Sequence, residues 1–278
     1  MTRISQGTDG VDHPWDSEPI ATQRIVTTSW DDGVAHDTRI ASLLKERSLP
    51  GTFYVPIIGR FSSLAMSPTD LCSLAAQGFE VGAHGYSHVS LSECDADEIS
   101  REVTLCRMEL EQLLGTEVRM FAYPQGRYNR KALRAVRKAG YIGARTTRMF
   151  SLRTEFDCYR MPTTIQVYQH SNVDYLRNLT RAIDFGQIWN YLTKLRHVSK
   201  WTDLAKGLFD HVMDRGGIWH LYGHSWEIQE LNLWDDLADV LDYVARRQGV
   251  RYLSNCQVVD SLHPPKVAAL AGMALPNP

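Results

Sequence analysis

The chain has 278 residues, 44% of them hydrophobic, and 30 Lys+Arg against 32 Asp+Glu give a formal charge of -2. This is ample apolar content for a folded core, long enough for two ordinary domains or one α/β barrel of roughly 250 residues, and it lacks the basic footprint of a nucleic-acid binder. No run reaches the roughly 18 apolar residues of a membrane span or resembles a secretory h-region, and five cysteines without a C-x-x-C pair suit neither a disulfide framework nor a cysteine-built zinc site, so the expectation is a soluble cytoplasmic protein with reduced, mostly buried thiols, no membrane insertion and no nucleic-acid partner.

Residues 1–22 mix Gly, Asp, Pro and Ser without periodicity and read as a flexible arm, and 261–278 read as a tail, which leaves one domain over 23–260. RIVTTSW (24–30) is a β-branched strand run, DTRIASLLKER (37–47) a patterned helix and GTFYVPII (51–58) a second strand, together one βαβ unit. The alternation continues with a helix after Ser67 and Pro68, the strand FEVGAH (79–84), and a helix opened by Asp95 with Glu98 as a capping box and closed before Gly115. Next come the strand VRMFAYP (118–124), a helix over 129–140 and the strand YIGART (141–146). Beyond them lie a short strand candidate, YRMPTTI (159–165), helical stretches near 173–195 and 201–214, the strand GIWHLYGH (217–224), a helix near 232–247 and a last strand, VRYLSN (250–255). Strands alternating with helices imply one parallel sheet, open or closed into a barrel.

In such folds functional groups gather at the C-terminal ends of the strands. Here the first strand delivers Asp31-Asp32-Gly33, the third His84-Gly85-Tyr86-Ser87-His88, the fourth Tyr123-Pro124-Gln125-Gly126, and the penultimate His220-Leu221-Tyr222-Gly223-His224. Adjacent carboxylates repel unless their directions diverge or a cation sits nearby, so one Asp can bind a metal while the other acts as a base. His84 and His88 can direct two neutral imidazoles at that ion, leaving positions open for a catalytic zinc with water or a facial-triad iron. Taken singly, each motif also has a plain structural use, a chain turn or a pair of loop histidines.

TTSWDDG, HGYSH, FAYPQG and the final IWHLYGH resemble, in order and spacing over about residues 24–255, the motifs of the NodB-homology polysaccharide deacetylases, carbohydrate esterase family 4. The resemblance implies an irregular (β/α)7-type barrel of the α/β class that removes an N-acetyl group from an amino sugar. It implies Asp31 as base, Asp32, His84 and His88 as ligands of one divalent metal, Zn²⁺ before Co²⁺, Fe²⁺ or Ni²⁺, and an oxyanion contact from the Gln125 N–H within a substrate-facing Tyr123–Gln125 turn. His224 is the matched general acid, with His220 as the competing residue.

The sequence departs from the family pattern in three ways. Ala122 stands where an Arg usually orients the base, and Arg160 is the candidate replacement. The Asp-Trp motif that would orient His224 is missing, with Glu227 free to tune it or face water, and 165–215 reads as a helical insertion. Trp226, and less so Trp30, offers a ring for stacking on a sugar, with core packing as the plain alternative. With no export signal, the N-acetylated partner would be nucleotide-linked, lipid-linked or a glycoside met inside the cell. Rival readings are a ring-opening amidohydrolase on the same fold, a non-heme iron oxygenase using the Asp/His/His set, and a catalytically silent sugar-binding relative, which the presence of both base and ligands disfavours.

Overall fold

Strand β1 (Arg24–Asp31) is buried at every position after the first, as its run of apolar and β-branched residues demands of a strand covered on both faces. The computed structural model describes residues 23–58, 62–170 and 200–263. One edge of β1 pairs in parallel with β7 (Gly217–His224) over all eight residues. The other edge is shared: β2 (Thr52–Val55) takes Ser29, Trp30 and Asp31, and β8 (Val250–Tyr252) takes Arg24, Ile25 and Val26. At this fork sits the buried Asn255, whose Nδ2 donates to the Tyr54 hydroxyl while Thr27 Oγ1 donates to its Oδ1.

The remaining strands are β3 (Glu80–Ala83), β4 (Met120–Ala122), β5 (Gly143–Arg145) and β6 (Ile165–Gln166), and the sheet runs β5-β4-β3-β2-β1-β7-β6 with β8 attached to β1. Every strand pair is parallel. Residues 161–166 span the gap between the two ends of the sheet, since Met161 bridges Arg145 of β5 while Ile165 and Gln166 pair with β7. The result is the curled α/β sheet of a seven-stranded barrel. Its register puts Asp31 beside Tyr54 on one edge and His224 on the other.

Helices α1 (Asp37–Glu46), α2 (Pro68–Ala76), α3 (Ala96–Leu114) and α4 (Arg130–Lys138) follow the sequence expectations closely. The Asp95/Glu98 capping box opens α3, and Gly115 ends it at φ 66°, a left-handed conformation that glycine adopts without a Cβ penalty. Helices α5 (Trp201–Arg215) and α7 (Trp234–Val244) are also close to expectation. Two helices were not expected: α6 (Ser225–Glu230), too short to show a period, and α8 (Asn255–Leu262), which continues the domain past residue 260 into the supposed tail. The pair Ser254 and Gln257 forms its capping box.

Several expectations need correction. YRMPTTI is a short 3-10 turn, Cys158–Arg160, followed by a single bridge at Met161 and only two strand residues, because Pro162 has no N–H to give a ladder. Both ends of the supposed insertion belong to the barrel itself, β6 at one end and α5, packed on β7 and α7, at the other. Its middle, 171–199, lies outside the described residues, as do 1–22 and 264–278. All five cysteines are free, but only Cys106 is buried. Among the described residues no helix is long and apolar enough to cross a membrane. Trp30 is wholly in the core, its Nε1 donating to Thr28 Oγ1, and offers no face to a sugar.

Candidate active site

The Asp-Asp-Gly turn separates its two carboxylates by backbone conformation. Asp31 is the last residue of β1, while Asp32 at φ 80° and Gly33 at φ 59° are both left-handed, an arrangement that costs a non-glycine residue on the order of 1–3 kcal/mol and gathers at functional sites. A Cβ on Gly33 would lie 2.8 Å from Val55 Cγ1, so space as well as φ requires glycine. Asp31 turns into the barrel, where the Arg145 Nη2 donates to its Oδ1. Arg145 is 0% exposed, with the rings of Tyr54 and Tyr222 centred 5.1 and 5.3 Å from its guanidinium carbon. Its Nε and Nη1 have no hydrogen-bond partner, so the π faces and the carboxylate are what compensate its charge. Burial pushes the Asp31 carboxyl up, but Arg145, with His84 and His224, outweighs burial and holds it below the usual range.

Asp32 faces the two histidines. His84 is buried at the end of β3; its Nδ1–H donates to the Ala122 carbonyl at 2.9 Å, which turns the Nε2 lone pair toward Asp32 Oδ1 at 3.7 Å. Burial pushes His84 down to about 4, against the pull of Asp31, so it is a neutral imidazole near pH 7. His88, at φ 57°, brings its Nε2 to 3.0 Å from the same oxygen. One donor atom from each of Asp32, His84 and His88 lies within 4.8 Å of the others. Asp32 Oδ1 is buried without a hydrogen-bond partner despite that close nitrogen. Two imidazoles and one carboxylate converging on one point are ligands zinc accepts with positions left open. Burial would raise the Asp32 carboxyl, but the His88 contact and the His84 and His224 rings hold it well below the carboxylate range.

The loop carrying both histidines is pinned from α3: Glu102 accepts from the Ser87 N–H at 2.8 Å and from the Ser87 hydroxyl. Across the mouth, His224 closes β7, with its Nε2 3.8 Å from Asp31 Oδ2 and its Nδ1 2.6 Å from Glu227 Oε2. The same Glu227 oxygen accepts from Gln166 Nε2, and Tyr222 donates to Gln166 Oε1. Burial pulls His224 down, but Glu227 and Asp31 outweigh it and raise it to about 9, so the imidazole is charged near pH 7. His220 is a core histidine, held by Ser29 Oγ and the Pro162 carbonyl and pushed down to about 3 by burial, with Arg145 adding to the effect.

The structure therefore brings together Asp31, Asp32, His84, His88, His224 and Trp226, whose Nε1 donates to Asp32 Oδ2. Gln125 lies at the barrel mouth in the Pro124–Gly126 turn at φ 57°. Tyr123 is different: its ring is buried and stacked on Tyr128, and its hydroxyl donates to the Tyr159 carbonyl, so the side chain presents nothing to a substrate. Arg160 is also displaced from its expected role, because it ends the 3-10 turn with a side chain 46% exposed beside Asp157. Arg145 stands in that place. It ends β5, and reading that strand end beside those of β1, β3, β4 and β7 would have found it. Glu102 carried a fainter signal, a carboxylate on the buried face of α3 among Ile99, Val103 and Cys106.

Residues 19–144 match the sequence profile of the polysaccharide deacetylase family. The matched stretch is 126 of the chain's 278 residues and includes β1 to β4. A curated relative, an uncharacterized 30.6 kDa protein of Geobacillus stearothermophilus, is 25% identical over 122 residues, 43% of this chain and 44% of its own length, so the match spans less than half of that protein. A candidate polysaccharide deacetylase from Mycobacterium smegmatis shares the fold at TM-score 0.64 with 18% identity, over 87% of this chain and 91% of its own. A family 4 carbohydrate esterase from Bacillus anthracis aligns at TM-score 0.54 with 17% identity, over 87% and 84%. A family 4 pseudoenzyme from the same organism aligns at TM-score 0.52 with 15% identity, over 87% and 67%. These deacetylase-like structures establish the barrel; with a pseudoenzyme among them, the activity has to be argued from the site residues.

Proposed function

We propose that this chain is a metal-dependent deacetylase that hydrolyses the N-acetyl group of an amino sugar in a glycan, glycoside or sugar-carrier intermediate. The observation that carries this reading is the position of Asp31, its Oδ2 3.9 Å from His84 Nε2 on the ligand side and 3.8 Å from His224 Nε2 on the other. A proton acceptor thus lies between a cation site and a charged proton donor.

Asp32, His84 and His88 would hold the ion, which when bound supplies Lewis acidity to a water and to the amide carbonyl. Asp31, kept ionised by Arg145, takes the proton from the attacking water. The Gln125 N–H would face the carbonyl oxygen as negative charge develops there. His224, kept protonated by Glu227, gives its proton to the nitrogen, without which an amine is a poor leaving group. Atoms balance: one amide and one water become a free amine and acetate. The parallel sheet also separates this chain from the antiparallel jelly rolls on which iron oxygenases usually place a similar triad.

The test is a panel of N-acetylated sugars, sugar nucleotides and glycosides incubated with zinc-loaded protein while acetate and free amine are measured together. Equimolar release of both supports the reading. Amine without acetate, or ring opening of a cyclic amide, would favour the amidohydrolase alternative. Alanine at Asp32, His84 or His88 should each lower zinc content and turnover in parallel, since each removes one of three protein ligands. Full zinc occupancy in all three variants would remove the metal assignment.

A further inference from the structure

Helix α6 commits its first three side chains to three different parts of the site. Ser225, fully buried, donates from its hydroxyl to Asp37 Oδ1 in the first turn of α1. Glu227 holds His224 Nδ1. Between them, the Trp226 indole Nε1 donates to Asp32 Oδ2 at 2.8 Å, joining residues 194 positions apart. A carboxylate fixed at one oxygen has its plane and its second oxygen fixed as well. That second oxygen, Oδ1, is the one lying 3.0 Å from His88 Nε2 and 3.7 Å from His84 Nε2.

We propose that Trp226 is a positioning residue for the metal ligand Asp32: its indole N–H holds Oδ2 so that Oδ1 is presented to the cation shared with His84 and His88. The proposal rests on the metal-site part of the deacetylase reading and adds a role that stacking on a sugar would not supply. The anchoring of α6 supports it. Ser225 and Glu227 flank Trp226 with bonds to separate elements, so the indole is delivered by a tethered helix and not by a loose side chain. Outer groups of this kind, binding the ligand and not the ion, commonly change metal affinity 10- to 100-fold when removed.

Zinc affinity, measured by competition with a chromophoric chelator, tests this separately from activity. Trp226→Phe should bind zinc roughly 10- to 100-fold more weakly than wild type. Placing 3-benzothienylalanine at position 226, which removes the N–H and keeps the bicyclic ring, should give the same loss with an unchanged melting curve for the metal-free protein. In an Asp32→Ala background, Trp226→Phe should cause no further loss, because the two side chains act through one ligand. Wild-type zinc affinity in the benzothienyl variant would overturn the proposal, and a raised KM beside it would return Trp226 to a sugar-stacking role. If Asp32→Ala itself kept wild-type zinc affinity, the metal site, and the proposal with it, would fall.

Discussion

Arg145→Met is expected to slow turnover by about 10²- to 10⁴-fold, the range for losing general-base catalysis, and to destabilise the fold by about 3–5 kcal/mol, the usual cost of stripping one partner from a buried ion pair. The guanidinium is wholly buried and pairs directly with the proposed base. Without it, burial is left to push the Asp31 carboxyl up, so the base is protonated over more of the working range and the acid limb of the pH profile moves to higher pH. Adding Asp31→Asn to Arg145→Met should recover part of the lost stability, since no unpaired charge then remains, while turnover stays lost. Arg160→Met should be nearly silent in both respects. Chemical denaturation and kcat across pH decide the matter, and normal turnover in Arg145→Met would remove Arg145 from the base.

His224→Ala is expected to be folded, zinc-loaded and about 10²- to 10⁴-fold slower, whereas His220→Ala should show mainly lower stability. Buried and pushed to about 3, His220 holds no proton to give near neutrality. Glu227→Gln probes the donor more finely. In wild type the imidazole lies at about 9, with Glu227 and Asp31 outweighing burial. Replacing the carboxylate by an amide removes the larger of these supports, so the value falls. A general acid works only while protonated, and activity is lost as pH rises through its pKa. The alkaline limb of kcat should therefore shift to lower pH in Glu227→Gln. An alkaline limb that stayed in place would show that another group donates the proton.

What could be read from the sequence was what one strand end carries by itself. Asp31-Asp32-Gly33, His84 to His88 and Gly223-His224 each place their groups through local turns, and β1 with its neighbours brings them together. The partners were harder to see. Arg145 reaches Asp31 across 114 positions, and only strand order shows that β5 faces the same mouth. Glu227 lies three residues after His224, a spacing that meets only if the chain turns helical, and α6 was too short to announce itself. The role expected of Arg160 needs 159–165 to be a strand; in a 3-10 turn before Pro162 its side chain leaves the barrel. Tyr123 belongs by sequence to the loop it begins, yet as the last residue before Pro124 its ring is still part of the core.

The way the sheet is joined sets the order in which its parts loosen. Strand β1 is paired with β7 along its full length and with β8 and β2 at its two ends, while β3 and β4 share a single paired position. Local opening begins where backbone pairing is thinnest and reaches doubly flanked strands last. Breathing of this barrel therefore reaches last the strand that bears Asp31. The proposed base therefore keeps its alignment until the domain as a whole unfolds.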